Sequence, residues 1–286
     1  MVAVVELSEG PGTSAAYARA ALGLLRRPGS ALPDVELVHR GVRVSRDHLA
    51  RYDRVCGMRL TDALPATYPH VLAFPLAMRL MSAAEFPLPM IGLVHVANRI
   101  TLHRPIDASS RLDLSVRAVD LRSHARGRQF DMVATASVDG EEVWRGVSTY
   151  LRKESAASSP AASLPASSPA SSAAGDSPAA GAVWRLPARV GTDYAAVSAD
   201  RNPIHTSRLG AKLFGFPRQI AHGMWTKARC LAALEGRLPE SYTVEVAFKQ
   251  PILLPSTVRF TSSATGAGWT FAVHSKRPHL TGTVTG

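Results

Sequence analysis

The chain has 286 residues, 46% hydrophobic and 19% charged, which suits a globular protein of one large domain or two ordinary ones. A formal net charge of +11 and an isoelectric point near 10.3 call for an anionic partner or reflect an Arg-rich composition. The arginines are scattered, with no basic helix, zinc spacing or stacking-aromatic motif, so a small polyanionic ligand or an acidic carrier protein fits as well as nucleic acid, and charge alone does not decide.

No run of about eighteen apolar residues exists, so no integral membrane segment is expected. Ala15 to Leu25 is rich in Ala and Leu, but Arg19 interrupts it and Arg26-Arg27 follow it. A secretory signal carries its positive charge before the apolar run, so this piece reads as an amphipathic helix or a loose arm. Cys56 and Cys230 are far apart and lack metal-ligand spacing, as expected for reduced, buried thiols in a cytoplasmic protein.

A helix around Ala50–Val55 opens the first half. Prolines then interrupt the region where a central helix belongs, at Tyr68-Pro69, Phe74-Pro75 and Phe86-Pro87-Leu88-Pro89. They predict a shortened or distorted helix that would leave an apolar space beside the sheet. Strands are predicted at Val94–Leu102, Leu112–Leu121, Arg128–Val138 and Val143–Leu151, with Asp139-Gly140 as a hairpin turn. Residues 154–182 are dominated by Ala, Ser and Pro, cannot bury a core and are expected to be a linker. They separate residues 1–153 from residues 183–286.

The second half opens with a short helix around Tyr194. It stops at Asp200-Arg201-Asn202-Pro203-Ile204-His205, because Pro203 fixes its own φ and pushes Asn202 toward extended backbone. This stiff turn presents a carboxylate and an imidazole, the raw material of general acid–base chemistry, although such turns also simply end helices. A second helix is predicted over Gly223 to Leu234, ended with help from Gly236. Strands follow at Tyr242–Lys249, Thr257–Ser262, Trp269–His274 and Leu280–Val284.

The halves echo each other. Ala50–Val55 corresponds to Thr192–Val197, and Val71–Met78 to Ile220–Lys227. Val94–Ile106, ending Arg104-Pro105-Ile106, corresponds to Val244–Ile252, ending Gln250-Pro251-Ile252. Three pairings in order predict a duplicated unit, each an antiparallel sheet around a helix, hence an α+β fold.

Tyr194-x-x-Val197-Ser198-Ala199-Asp200-x-Asn202-Pro203-Ile204-His205, then Phe214-Gly215-Phe216-Pro217, Ile220-Ala221-His222-Gly223-Met224 and Phe248-Lys249-Gln250-Pro251, resemble the MaoC-like hydratase/dehydratase family. The two-half organisation is similar to its double hot-dog (3R)-hydroxyacyl-thioester dehydratases. The match covers the second half well and the first more weakly.

The resemblance implies a double hot-dog fold and reversible hydration of trans-2-enoyl thioesters of coenzyme A or acyl carrier protein, in fatty-acid metabolism. It makes Asp200 and His205 the catalytic pair, Asn202 the loop-shaping residue of the substrate site, and Gly223 the backbone N–H that faces the thioester carbonyl. No cofactor or metal is expected. Ala199 departs from the family's usual glycine before the catalytic Asp. The first half has Cys56-Gly57-Met58-Arg59-Leu60-Thr61 where the motif belongs, so one active site per chain is expected. A monomeric double hot-dog or a homodimer fits this. His222 reads as a helix-cap or packing residue, His95 and His103 as strand residues without a motif, and Lys249 as an exposed lysine or a phosphate contact. The alternatives are an acyl-thioester hydrolase and a non-catalytic acyl-carrier-binding subunit.

Overall fold

The computed structural model describes residues 2–7, 30–90, 92–154 and 180–286. The Ala15–Leu25 segment and most of the Ala/Ser/Pro tract lie outside the described residues.

The first half comprises β1 (Ala3–Glu6), β2 (Val35–Arg43), α1 (Arg46–Cys56), α2 (Tyr68–Met81), β3 (Leu93–Leu102), β4 (Arg111–His124), β5 (Gly127–Val138) and β6 (Glu141–Lys153). The second comprises β7 (Ala180–Leu186), α3 (Val190–Ser198), α4 (Pro203–Thr206), α5 (Arg208–Leu213), α6 (Gly223–Ala233), β8 (Tyr242–Phe248), β9 (Ser256–Thr265), β10 (Gly268–His274) and β11 (Pro278–Thr285). All eight predicted strands are present. Missing from the prediction are β1, β2 and β7, so each half begins with a strand and not with its helix. Strand β7 takes in residues 180–182, which the sequence boundary assigned to the linker; they pair with β9.

The strands form one sheet in the order β1-β2-β4-β5-β6-β3-β8-β11-β10-β9-β7. Read outward from the β3–β8 junction, each half repeats the same plan: 3-6-5-4-2 on one side and 8-11-10-9-7 on the other. This is the double hot-dog that the resemblance implied. At the junction β3 and β8 run antiparallel from Ala97↔Ala247 to Leu102↔Tyr242. Val244 and Val246 are buried while Glu245 is exposed, the period of a strand with one covered face. The β5–β6 turn has Asp139 at φ 52 and Gly140 at φ 83, as a tight hairpin requires.

Each half encloses a central helix. In α6 Met224, Trp225, Thr226, Lys227, Ala228, Cys230 and Leu231 are buried, the all-round burial of a core helix. Helix α2 corrects the expectation of a broken helix. It runs unbroken for 14 residues with Pro69 in its first turn and Pro75 inside. A first-turn proline forfeits no intrahelical bond. Ten of the 14 residues are buried, so the helix is not shortened here.

The repeat also needs one correction. Ala221 N–H donates to Ile252 O at 2.9 Å and Leu64 N–H to Ile106 O at 2.8 Å, while Ile220 bridges Leu253 as Ala63 bridges Asp107. The first-half counterpart of Ile220 is therefore Ala63, not Val71.

Helices α1 and α3, the first paired block, pack together near the junction. Buried Leu49, Tyr52, Asp53 and Cys56 form a helical stripe on α1, and Tyr52 lies 6.3 Å from Tyr194 of α3, ring centre to ring centre. The halves are further joined by Trp225 Nε1–H, which donates to Val55 O at 3.0 Å. Lys227 of α6 is wholly buried. Its ammonium donates to Asn98 Oδ1 (2.6 Å), Asn98 O (3.3 Å) and Val244 O (3.1 Å), gripping both junction strands. Burial lowers its pKa well below the usual lysine value. Cys56 and Cys230 are free and buried.

Candidate active site

Helix α3 ends at Ala199, which adopts the left-handed conformation (φ 59, ψ 3). Gly57 occupies the matching position after α1, at φ 71. The residue that follows is Asp200 in one half and Met58 in the other, so the structure puts the motif gap where the sequence did. Asp200 N–H donates to Ser198 Oγ (3.2 Å), and Asp200 Oδ1 accepts from Asn202 N–H (3.2 Å). Asn202 in turn caps α4: its Oδ1 accepts from Ile204 N–H at 3.2 Å, with Pro203 at the first helical position where its missing donor costs nothing. The turn is stiff because each polar side chain satisfies backbone of the next step.

The same turn carries His205 into the interior. Its Nδ1–H donates to Ile220 O at 2.8 Å, which makes Nε2 the nitrogen with the lone pair. Burial lowers its pKa, against the opposing pull of Asp200 and the Ile220 carbonyl, so the ring is neutral near pH 7. Gly191 of α3 lies against the His205 backbone, and a methyl group there would collide with the His205 carbonyl.

His222 was expected to cap or pack. It occupies the N-cap position of α6 without a side-chain cap bond, and its ring stacks on His205 with centres 3.7 Å apart. Its Nε2–H donates to the Asp200 carbonyl at 3.0 Å. The 3.8 Å approach to Asp200 Oδ2 is not an ion pair, because burial pushes the His222 pKa down to about 3. Ligand atoms of Asp200, His205 and His222 all lie within 4.8 Å of one another, a cluster that sequence spacing did not reveal. Stacked rings direct their in-plane lone pairs side by side and not to one point, a poor fit to a metal that needs converging ligands.

Gly223 is the first residue of α6, so its N–H has no intrahelical acceptor and the positive end of the helix dipole lies behind it. The wall opposite comes from the first half. His70 of α2 and His95 of β3 both lie in the field of Asp200, and burial pushes their pKa values down to about 4 and about 3. Tyr150 of β6 also lies in that field, and burial raises its pKa. Exposed His103, by contrast, is bonded to half-buried Glu142. Lys249 is exposed and lines an open groove. His222, His70, His95 and Tyr150 carry no local motif. Only the position of His222 immediately before Gly223 was a usable signal.

A pseudo-symmetric double hot-dog with a carboxylate and a neutral imidazole in one half defines a class, a fused two-module protein with one motif-bearing module. The MaoC like domain model matches residues 188–281. The chain is 38% identical over 276 residues to 3-hydroxyacyl-thioester dehydratase X of Mycobacterium tuberculosis, covering 92% of this chain and 96% of that protein. The crystal structure of HtdX from M. tuberculosis superposes with a TM-score of 0.76 at 35% identity, over 88% of this chain and 99% of that one. A MaoC-like dehydratase from Phytophthora capsici shares the fold at a TM-score of 0.70 and 16% identity, over 87% and 94% of the two chains. The chain belongs to the MaoC-like dehydratase family.

Proposed function

We propose that this protein interconverts trans-2-enoyl and (3R)-3-hydroxyacyl thioesters by adding and removing water, acting as a hydro-lyase in the cytoplasm. The observation that carries the reading is the convergence of Asp200 and His205 on one stiff turn beside the first turn of α6. In hydration a hydroxyl bonds to C3 and a proton to C2, and negative charge builds on the thioester oxygen in between. The Gly223 N–H, backed by the α6 dipole, stabilises that charge where it develops. Asp200 is the principal base: it takes a proton from water as the C3–O bond forms and delivers it to C2, and in reverse it removes the C2 proton and gives it to the departing hydroxyl. The His205 Nε2 lone pair holds and polarises the same water, or the leaving hydroxyl in reverse. Such proton handling contributes roughly 10²–10⁴-fold. Asn202 acts by shaping the loop through its bond to Ile204 N–H.

No cofactor is required in this scheme. The carrier is coenzyme A or acyl carrier protein, whose phosphates suit a chain of charge +11, and one site serves each chain, as a monomer or a homodimer. The test is a spectrophotometric hydration assay on enoyl-CoA substrates, with chirality determined at C3 of the product. Asp200→Asn and His205→Ala should each lose at least two orders of magnitude in kcat. An (S) product, or full activity in both variants, refutes the scheme. Release of free thiol would instead identify a hydrolase, and ligand retention without turnover a binding subunit.

A further inference from the structure

An unbroken row of rings crosses the inner face of the sheet toward the active site. Phe86 meets Phe130 at 5.1 Å, Phe130 meets Tyr150 at 5.6 Å, Tyr150 meets His95 at 4.8 Å and His95 meets Phe248 at 4.9 Å, centre to centre. The last ring, Phe248, abuts Gly223: a Cβ built on that glycine would lie 2.9 Å from Phe248 Cε1. One ring in this row is an imidazole where packing alone would be served by a phenyl. His95 lies at a β-bulge, where β3 slips register against β6 between His95 and Ala97. Bulges of this kind re-aim a side chain beside functional sites.

The His95 Nε2 atom is buried and has no hydrogen-bond partner. The Ala97 backbone lies by the ring and favours a proton on the nitrogen that faces it, which leaves the unpartnered Nε2 as the acceptor of the neutral imidazole. A buried acceptor left unsatisfied is costly and calls for an explanation. Phe248 gives the direction. It is partly exposed and lines an open groove of about 510 Å³ together with Val96, exposed Lys249 and exposed Arg277. Phe248 thus touches Gly223 and His95 on one side and, on the other, a groove flanked by cations, which suits an arm carrying phosphate at its far end.

We propose that His95, from the half that lacks the motif, is a substrate-binding residue whose Nε2 accepts a hydrogen bond from an amide N–H of the thioester's pantetheine arm. The arm displaces Phe248 as it enters and pairs with the His95 Nε2 lone pair. The inference rests on the hydratase reading above. It makes His95 a contributor to binding and not to the proton transfers, and it gives the non-motif half a share in recognising the arm.

The test compares two enoyl thioesters of the same acyl group, one of N-acetylcysteamine, which keeps the amide nearest sulfur, and one of propanethiol, which has none. His95→Phe should raise KM roughly five- to tenfold for the N-acetylcysteamine thioester, leave kcat within about twofold, and leave KM for the propyl thioester unchanged. His95→Gln, which retains a carbonyl acceptor, should recover most of the lost affinity. An equal rise in KM for both substrates, no rise for either, or a fall in kcat at constant KM would overturn the proposal. The amide-free substrate is an internal control, because a misfolded variant loses both activities. If the wild type hydrates neither these thioesters nor the corresponding enoyl-CoA, the hydratase reading fails, whereas an active wild type with an amide-blind His95→Phe sinks only the role of His95.

Discussion

Gly223→Ala separates a packing role for this glycine from an electrostatic one. The new methyl would lie 2.9 Å from Phe248 Cε1 and 3.1 Å from both Cδ1 and Cζ, so the ring must withdraw by about half an ångström to reach ordinary contact. Overpacking of this size costs about 1–3 kcal/mol in a tight core, and less here because Phe248 is partly exposed. Alanine in a helix recovers about 0.5–1 kcal/mol over glycine. Unfolding stability in urea should therefore change by no more than about 1 kcal/mol. Activity should respond differently, because the methyl stands beside the N–H at the face a carbonyl must approach. Losing one such donor costs about 3–4 kcal/mol of barrier, a fall of about 10²–10³-fold in kcat/KM. Steady-state hydration kinetics and urea titration on the same preparation measure both quantities. A variant that folds normally and keeps kcat/KM within threefold would refute the assignment of the Gly223 N–H to the thioester oxygen.

Ala199→Gly tests the departure from the family pattern. An L-residue at φ 59 costs about 1–2 kcal/mol in the left-handed region, and glycine returns part of that as unfolded-chain entropy. A net gain of about 0.5–1 kcal/mol in urea stability is expected, with kcat within twofold; a loss of stability would contradict the conformation. Asp53 is buried, its Oδ1 has no partner, and burial followed by repulsion from Glu235 raises its pKa to about 7. The folded protein thus holds this proton more tightly than the unfolded chain, so its contribution to stability is lost as pH rises from about 4 to about 7. Asp53→Asn should be more stable than the wild type at pH 8 and lose that advantage at pH 4; equal effects at both pH values in denaturant titrations would disprove the shift.

Much of the fold was legible in alternation. The alternation from Tyr242 to Lys249 marks β8 to within one residue, because one of its faces is solvated and the other buried. Strands β2 and β7 were not legible, since Val35–Arg43 mixes His, Arg and Gly into its apolar positions and β7 emerges from an Ala/Ser/Pro tract. The prolines misled for a definable reason: Pro69 falls in a first turn, and tertiary packing of the largely buried α2 carries Pro75. In the site, Asp200, Asn202 and His205 were visible because one turn holds them within six residues. His222, His70, His95 and Tyr150 arrive from separate elements, and only the folded junction brings them to Asp200. Their chemistry is a property of the assembly, with no trace in spacing.

The β3–β8 ladder joins the halves through the middle of a sheet, and Lys227 holds both junction strands. Two identical halves meeting this way would form a symmetric pair in which every substitution appears twice. Covalent fusion lifts that constraint. Met58 can stand where its counterpart position holds a carboxylate, and an imidazole can enter the ring row on one side only. The cost of specialising one module is borne once, while the other keeps its chemistry unaltered.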